Sequence, residues 1–115
     1  MSLEKELYTY RAKVVSVYDG DTIRVDLDLG FGIKLENQSI RLYGINAPEV
    51  RGESREEGIV TRDRLRGIIL DKYIIIKTHK DSKGKYGRWI GTVFADDSNI
   101  NELLVEEGLV ESRSY

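Results

Sequence analysis

Two aspartates one residue apart, Asp19 and Asp21, and two arginines, Arg41 and Arg88, are the side chains of this sequence best suited to act together. Carboxylate oxygens hold hard divalent cations, and the rigid guanidinium fork matches the oxygens of a phosphate. Around the first arginine, the run Arg41-Leu42-Tyr43-Gly44-Ile45-Asn46-Ala47-Pro48-Glu49 adds an amide, the only proline and a further carboxylate. Proline fixes φ and cannot donate to a sheet ladder, so the strand entering this run is expected to end near Ala47. Asn46 and Glu49 then stand at the loop end, where polar side chains can meet a ligand. Asp19-Gly20-Asp21-Thr22 precedes this run and Lys85-Tyr86-Gly87-Arg88 follows it. Carboxylates for a divalent metal beside two arginines for a phosphate is the chemistry the three stretches suggest.

Composition narrows the choice of metal. The chain has no cysteine, which removes disulfides, zinc–thiolate sites and thiol catalysis together. Its single histidine makes a multi-histidine metal site impossible. A metal would be held mainly by oxygen, which points to calcium, magnesium or manganese. The formal charge of −2 gives no overall attraction for nucleic acid, so local clusters such as the basic stretch from Lys77 to Arg88 would have to supply it. The first residues lack the apolar core of a signal peptide, and no stretch is long enough to span a membrane. The expectation is a soluble protein, cytoplasmic by default, with secretion or origin in a larger protein left open.

The 115 residues fit one compact domain, 1–115, long enough to be stable on a single core. Residues 8–18 alternate loosely and read as a strand. Asp19-Gly20 is a tight-turn dipeptide, because both positions tolerate positive φ. Residues 22–29 alternate cleanly, with Ile23, Val25, Leu27 and Leu29 on one face, so they predict a half-buried antiparallel strand. A third strand is expected over 33–46. From Arg55 to Leu70 the spacing turns helical, with Ile59, Val60, Leu65, Ile68 and Ile69 in an apolar stripe that also passes Arg62. The β-branched run 73–77 predicts a fourth strand, 79–87 a polar loop, and 88–95 a fifth strand. Ser98 or Asn99 can cap a last helix that Gly108 stops, followed by an apolar Leu109-Val110 tail that should pack on the barrel. The sum is an α+β, mainly β fold: a five-stranded OB-fold barrel with a helix between strands three and four and a short helix after strand five.

Taken singly, each motif has an ordinary explanation as a hairpin turn, a strand arginine, a strand end or a solvated loop. Their joint occurrence in this order does not. With Asn101-Glu102-Leu103-Leu104-Val105 and Gly108-Leu109 added, the sequence resembles the staphylococcal nuclease (thermonuclease, SNase-like) family, from about Val14 to Val110. The resemblance implies a calcium-dependent endonuclease or phosphodiesterase acting on DNA or RNA. By position, it implies Asp21 as a metal ligand, Asp19 as a supporting carboxylate and the backbone carbonyl of Ala47 as a further ligand. It implies Glu49 as the general base on water, Arg41 and Arg88 as the phosphate clamp, and Lys85 and Tyr86 as contacts to a neighbouring phosphate. Magnesium or manganese could replace calcium.

Three features depart from the family pattern. Asn46 stands where the family usually has a second ligating aspartate, so the site loses one formal charge, although an amide oxygen still ligates. The loop after Glu49 is shorter than in the best-known member. The best-known member also continues into another helix where this sequence ends at Tyr115; a monomer is expected, with a dimer as the alternative. Two rival readings stand beside the enzyme. One is an SNase-like domain that binds nucleic acid without cutting it, as OB folds bind single strands. The other is a module that docks on proteins through its acidic helix. Retention of Arg41, Glu49, Arg88 and Asp21 together favours the enzyme.

Overall fold

A computed structural model describes residues 3–83 and 89–113, with side chains up to 79 and from 89 onward. Three strands, β1 (Thr9–Asp19), β2 (Thr22–Gly30) and β3 (Ile33–Leu42), form an antiparallel meander. Next come β4 (Ile45–Asn46), the helix α1 (Arg55–Ile69) and the antiparallel pair β5 (Tyr73–Lys83) and β6 (Trp89–Ala95). β5 pairs with β1, and β6 returns to pair with β3 in parallel through Ile40–Trp89, Arg41–Ile90 and Leu42–Gly91. That last pairing closes the barrel β1-β2-β3-β6-β5. The short strand β7 (Ser98–Asn99) extends the β6 edge, α2 (Ile100–Glu106) follows it, and β8 (Glu111–Ser112) pairs with β4. The five-stranded OB barrel with helices after strands three and five is the expected fold. Among the described residues, no helix is long and apolar enough to cross a membrane.

The alternation in β2 has its expected consequence. Ile23, Val25 and Leu27 are buried inside the barrel with Val14, Ile40, Leu42, Ile74, Ile76 and Val93. Each such side chain stabilises the fold by roughly 1.5–3 kcal/mol relative to leaving it exposed. Leu29 departs from this pattern and is exposed, because the β2–β3 hairpin runs on past the barrel wall. Phe31 at its tip has a positive φ between Gly30 and Gly32.

Three further boundaries differ from the sequence expectation. β3 stops at Leu42 rather than running to residue 46. The Tyr43 amide donates to Gly91 O at 2.8 Å, and Gly44 then takes φ +78°, which redirects the chain into the separate strand β4. β5 continues beyond Lys77 to Lys83, so part of the expected loop 79–87 is ladder, with a register shift between Thr78 and Lys83. The buried face of α1 is Gly58, Thr61, Leu65 and Ile69; Val60 is 59% exposed. Leu65, Ile68 and Ile69 of the expected stripe do face the core, and Val60 does not, because the helix makes its closest approach through the small residues Gly58 and Thr61. The capping expectation holds at Asn99, whose Oδ1 accepts from the Glu102 amide at 3.0 Å, and Gly108 stops the helix with φ +74°. The tail packs as expected, with Val110 buried in the core.

Candidate active site

The β1–β2 turn and the β3–β4 connection meet at one end of the barrel. Asp19 and Thr22 pair across the two-residue turn Gly20-Asp21, and the Asp21 amide donates back to Asp19 Oδ1 at 3.0 Å. This is the local side-chain-to-backbone bond for which aspartate is favoured in turns. Gly20 does not have positive φ, contrary to the turn chemistry expected for it. Its role is steric: a Cβ there would collide with the Thr61 methyl and lie 2.9 Å from the Ala47 Cβ. The turn thus rests directly on α1 and on the loop.

Asp21 is the hub. It is 6% exposed, its main-chain oxygen accepts from the Leu42 amide at 2.8 Å, and its Oδ1 accepts from Thr22 Oγ1 at 3.0 Å. Its Oδ2 accepts from the Ala47 amide at 2.8 Å and lies 3.3 Å from Arg41 Nη1. Arg41, also 6% exposed, donates from Nη1 to Leu42 O at 3.1 Å and from Nη2 to Asn46 Oδ1 at 3.3 Å. Its fork therefore reads the turn, the strand end and the loop at once, which a point-charged lysine could not do. Burial, and then the hydrogen bond and charge of Asp21, push the Asp19 carboxyl up to about 7. Two carboxylates here crowd into a space with little solvent.

Asp19, Asp21, Arg41, Asn46 and Ala47 are thus brought together. Glu49 lies three residues beyond Asn46 with its side chain exposed, and among the described residues its carboxylate makes no hydrogen bond. Its main chain is fixed, because Glu49 O accepts from Ser54 Oγ at 3.0 Å. Lys85, Tyr86 and Arg88 lie outside the described residues. The strand they lead into, β6, runs beside Arg41 in the parallel ladder. A groove of about 630 Å³ borders the site on the α1 side, lined by Asn46, Pro48, Glu57, Val60 and Leu109 among others. Neither Asp21 nor Arg41 lines it. It borders the polar cluster and does not contain it.

Asn101, which the sequence marks only as the first residue of the last motif, is a supporting residue of the site. It is buried on the first turn of α2, where Oδ1 accepts from the Val93 amide at 3.0 Å. Its Nδ2 donates to Tyr43 O at 2.8 Å and to Gly91 O at 3.3 Å. It ties α2 and β6 to the chain leading into Asn46, and the residue after β8 holds the other side through Arg113 N to Gly44 O at 2.7 Å. The available signal was an amide next to Ile100 on the inward side of a short helix. Asn101→Ala takes the side-chain partner from the buried Val93 amide and from Tyr43 O, while Gly91 O keeps the Tyr43 amide, at a cost of about 1–3 kcal/mol for a stranded buried group. A stability loss of roughly 2 kcal/mol in urea titration is the expected result.

The family described as "Staphylococcal nuclease homologue" matches residues 39–115. The chain is 29% identical over 106 residues to "Thermonuclease" of Staphylococcus hyicus, covering 90% of this chain and 59% of the relative. It is 30% identical over 115 residues to "Micrococcal nuclease" of Shigella flexneri, covering 92% and 60% respectively. It is 31% identical over 108 residues to "Protein ParB" of Escherichia coli, covering 86% and 55%. The chain spans between half and two thirds of the length of these relatives.

Proposed function

The chain belongs to the staphylococcal nuclease homologue family, and from that premise we propose that it hydrolyses phosphodiester bonds of DNA or RNA with the help of a divalent cation, calcium first. The observation that carries this reading is the buried Asp21–Arg41 pair, joined to Asn46 and Ala47 by the same set of hydrogen bonds. A cation ligand and a phosphate clamp held side by side is the arrangement that phosphoryl chemistry needs.

The donor set fits a hard cation. Asp21, Asn46 and the Ala47 carbonyl, with Asp19 in support, offer oxygen alone, as calcium, magnesium and manganese prefer. Such a cation supplies Lewis acidity toward a phosphate oxygen. Asp21 and Asn46 would hold it, and the Thr22 hydroxyl and Ala47 amide keep the Asp21 carboxylate oriented. Glu49, exposed on the adjoining loop, takes the proton of the attacking water. Arg41 stabilises charge on the phosphate from one side, and Arg88 is assigned the other. Lys85 and Tyr86 are assigned to the neighbouring phosphate.

The neutral amide of Asn46, in place of a charged ligand, favours weaker metal binding and with it the second reading, a nucleic-acid-binding module of low activity. Asn46→Asp decides how much of the weakness lies there. It is expected to tighten calcium binding on the order of tenfold by adding ligand charge, as read by calorimetric titration. The proposed substrate is a flexible single strand, because the net charge of −2 gives little hold on a rigid duplex. Faster cleavage of a hairpin-free oligomer than of its duplex supports this; equal rates would sink it.

A further inference from the structure

The loop that carries Glu49 lies on α1 with no side chain between them. A Cβ at Gly58 would lie 2.8 Å from the Val50 nitrogen and closer still to the Glu49 carbonyl. Ser54, just before the helix, holds the same carbonyl through its hydroxyl at 3.0 Å. One turn further along, Thr61 meets Gly20 of the turn that presents Asp21, and its own hydroxyl donates to Leu109 O at 3.0 Å. Residues 58 and 61 are neighbours on one helix face. The turn bearing Asp21 and the loop bearing Glu49 therefore rest side by side on a single rigid element.

We infer that Gly58 is a positioning residue, whose missing side chain sets the place of Glu49 relative to Asp21. The inference rests on the proposed role of Glu49 as general base. Any side chain at position 58 lifts the Glu49–Val50 backbone away from the helix, while Asp21 and Arg41 keep their partners on the barrel. Misplacing a catalytic group by about 1 Å costs up to about 10²-fold in rate. Asp21 and Arg41 also keep contacts that lie off this loop, with Thr22 and Leu42.

Helix propensity makes the test clean. α1 holds a second glycine, Gly67, where an added Cβ would meet nothing within 4 Å. Alanine is a better helix former than glycine at either position, so Gly67→Ala raises the melting temperature and leaves kcat unchanged. Gly58→Ala is expected to lower kcat by about 10–10²-fold with little change in KM or calcium affinity. Ser54→Ala, which removes a hydrogen bond and adds no bulk, lowers kcat a few-fold and serves if Gly58→Ala does not fold.

The deciding comparison repeats each change in a Glu49→Gln background. A residue that acts only through Glu49 has no further effect there. An equal loss of kcat with and without Glu49 overturns the inference, as does unchanged kcat in Gly58→Ala. Backbone hydrogen exchange over residues 49–54 provides a readout independent of activity. It rises in Gly58→Ala and not in Gly67→Ala if the loop rests where stated, and unchanged exchange overturns the inference. If the wild type cleaves nothing, the proposed function has failed and the exchange result alone judges the contact.

Discussion

Replacing Glu49 by glutamine is expected to lower kcat for oligonucleotide cleavage by about 10²-fold or more while leaving stability within about 0.5 kcal/mol. Both halves follow from where Glu49 sits. Its side chain is exposed and makes no hydrogen bond among the described residues, so the fold loses little when the charge goes. Its backbone is fixed by Ser54 and by the contact with Gly58, so the glutamine amide occupies the same position. An amide cannot accept the proton of the attacking water at neutral pH. KM and calcium affinity should stay near wild type, because Glu49 is assigned neither phosphate nor metal. A large rise in KM with kcat unchanged would move Glu49 from base to substrate contact.

Arg41 is expected to behave in the opposite way, with stability and activity lost together. Arg41→Ala leaves the Asp21 carboxylate buried without its cation, a loss of about 3–5 kcal/mol in comparable pairs. Against a total of about 5–15 kcal/mol for a domain of this size, that brings the protein close to unfolding. Arg41→Lys keeps the charge but cannot reach Leu42 O, Asn46 Oδ1 and Asp21 Oδ2 together. Its expected cost is about 10²–10³ in kcat, the range seen when one transition-state donor is removed. Urea titrations of Arg41→Ala, Asp21→Asn and the double variant separate the causes. If the stranded charge dominates, the double variant is more stable than Arg41→Ala alone, and it remains inactive. Strict additivity of the two losses would assign the cost to packing.

Most of the barrel was legible because its strands alternate, and alternation has one physical meaning. Ile23, Val25 and Leu27 declare an inner face whatever surrounds them. That Asp19, Asp21, Arg41 and Asn46 share one end of the barrel was legible only from their joint order and the family resemblance, because each alone has an ordinary reading as a turn, strand or loop residue. What could not be read were contacts between segments distant in sequence. Nothing near Gly20 announces that Thr61 will lie against it, so its glycine was assigned to turn geometry. The break between β3 and β4 depends on Tyr43 N meeting Gly91 O, nearly fifty residues away in sequence, and local pattern extended the strand to residue 46 instead. Val60 was placed on the buried stripe because it is apolar, whereas the helix comes closest through Gly58 and Thr61, which carry little hydrophobic signal.

The measurement that tests the proposed function most directly is cleavage of fluor–quencher single-stranded DNA and RNA oligomers by the wild-type protein. Calcium is compared with excess chelator, and binding of the same oligomers is recorded in parallel. Cleavage that requires calcium and disappears with chelation is the expected result. Oligomer binding with no cleavage in calcium, magnesium or manganese would contradict it and leave a binding module built on a nuclease frame.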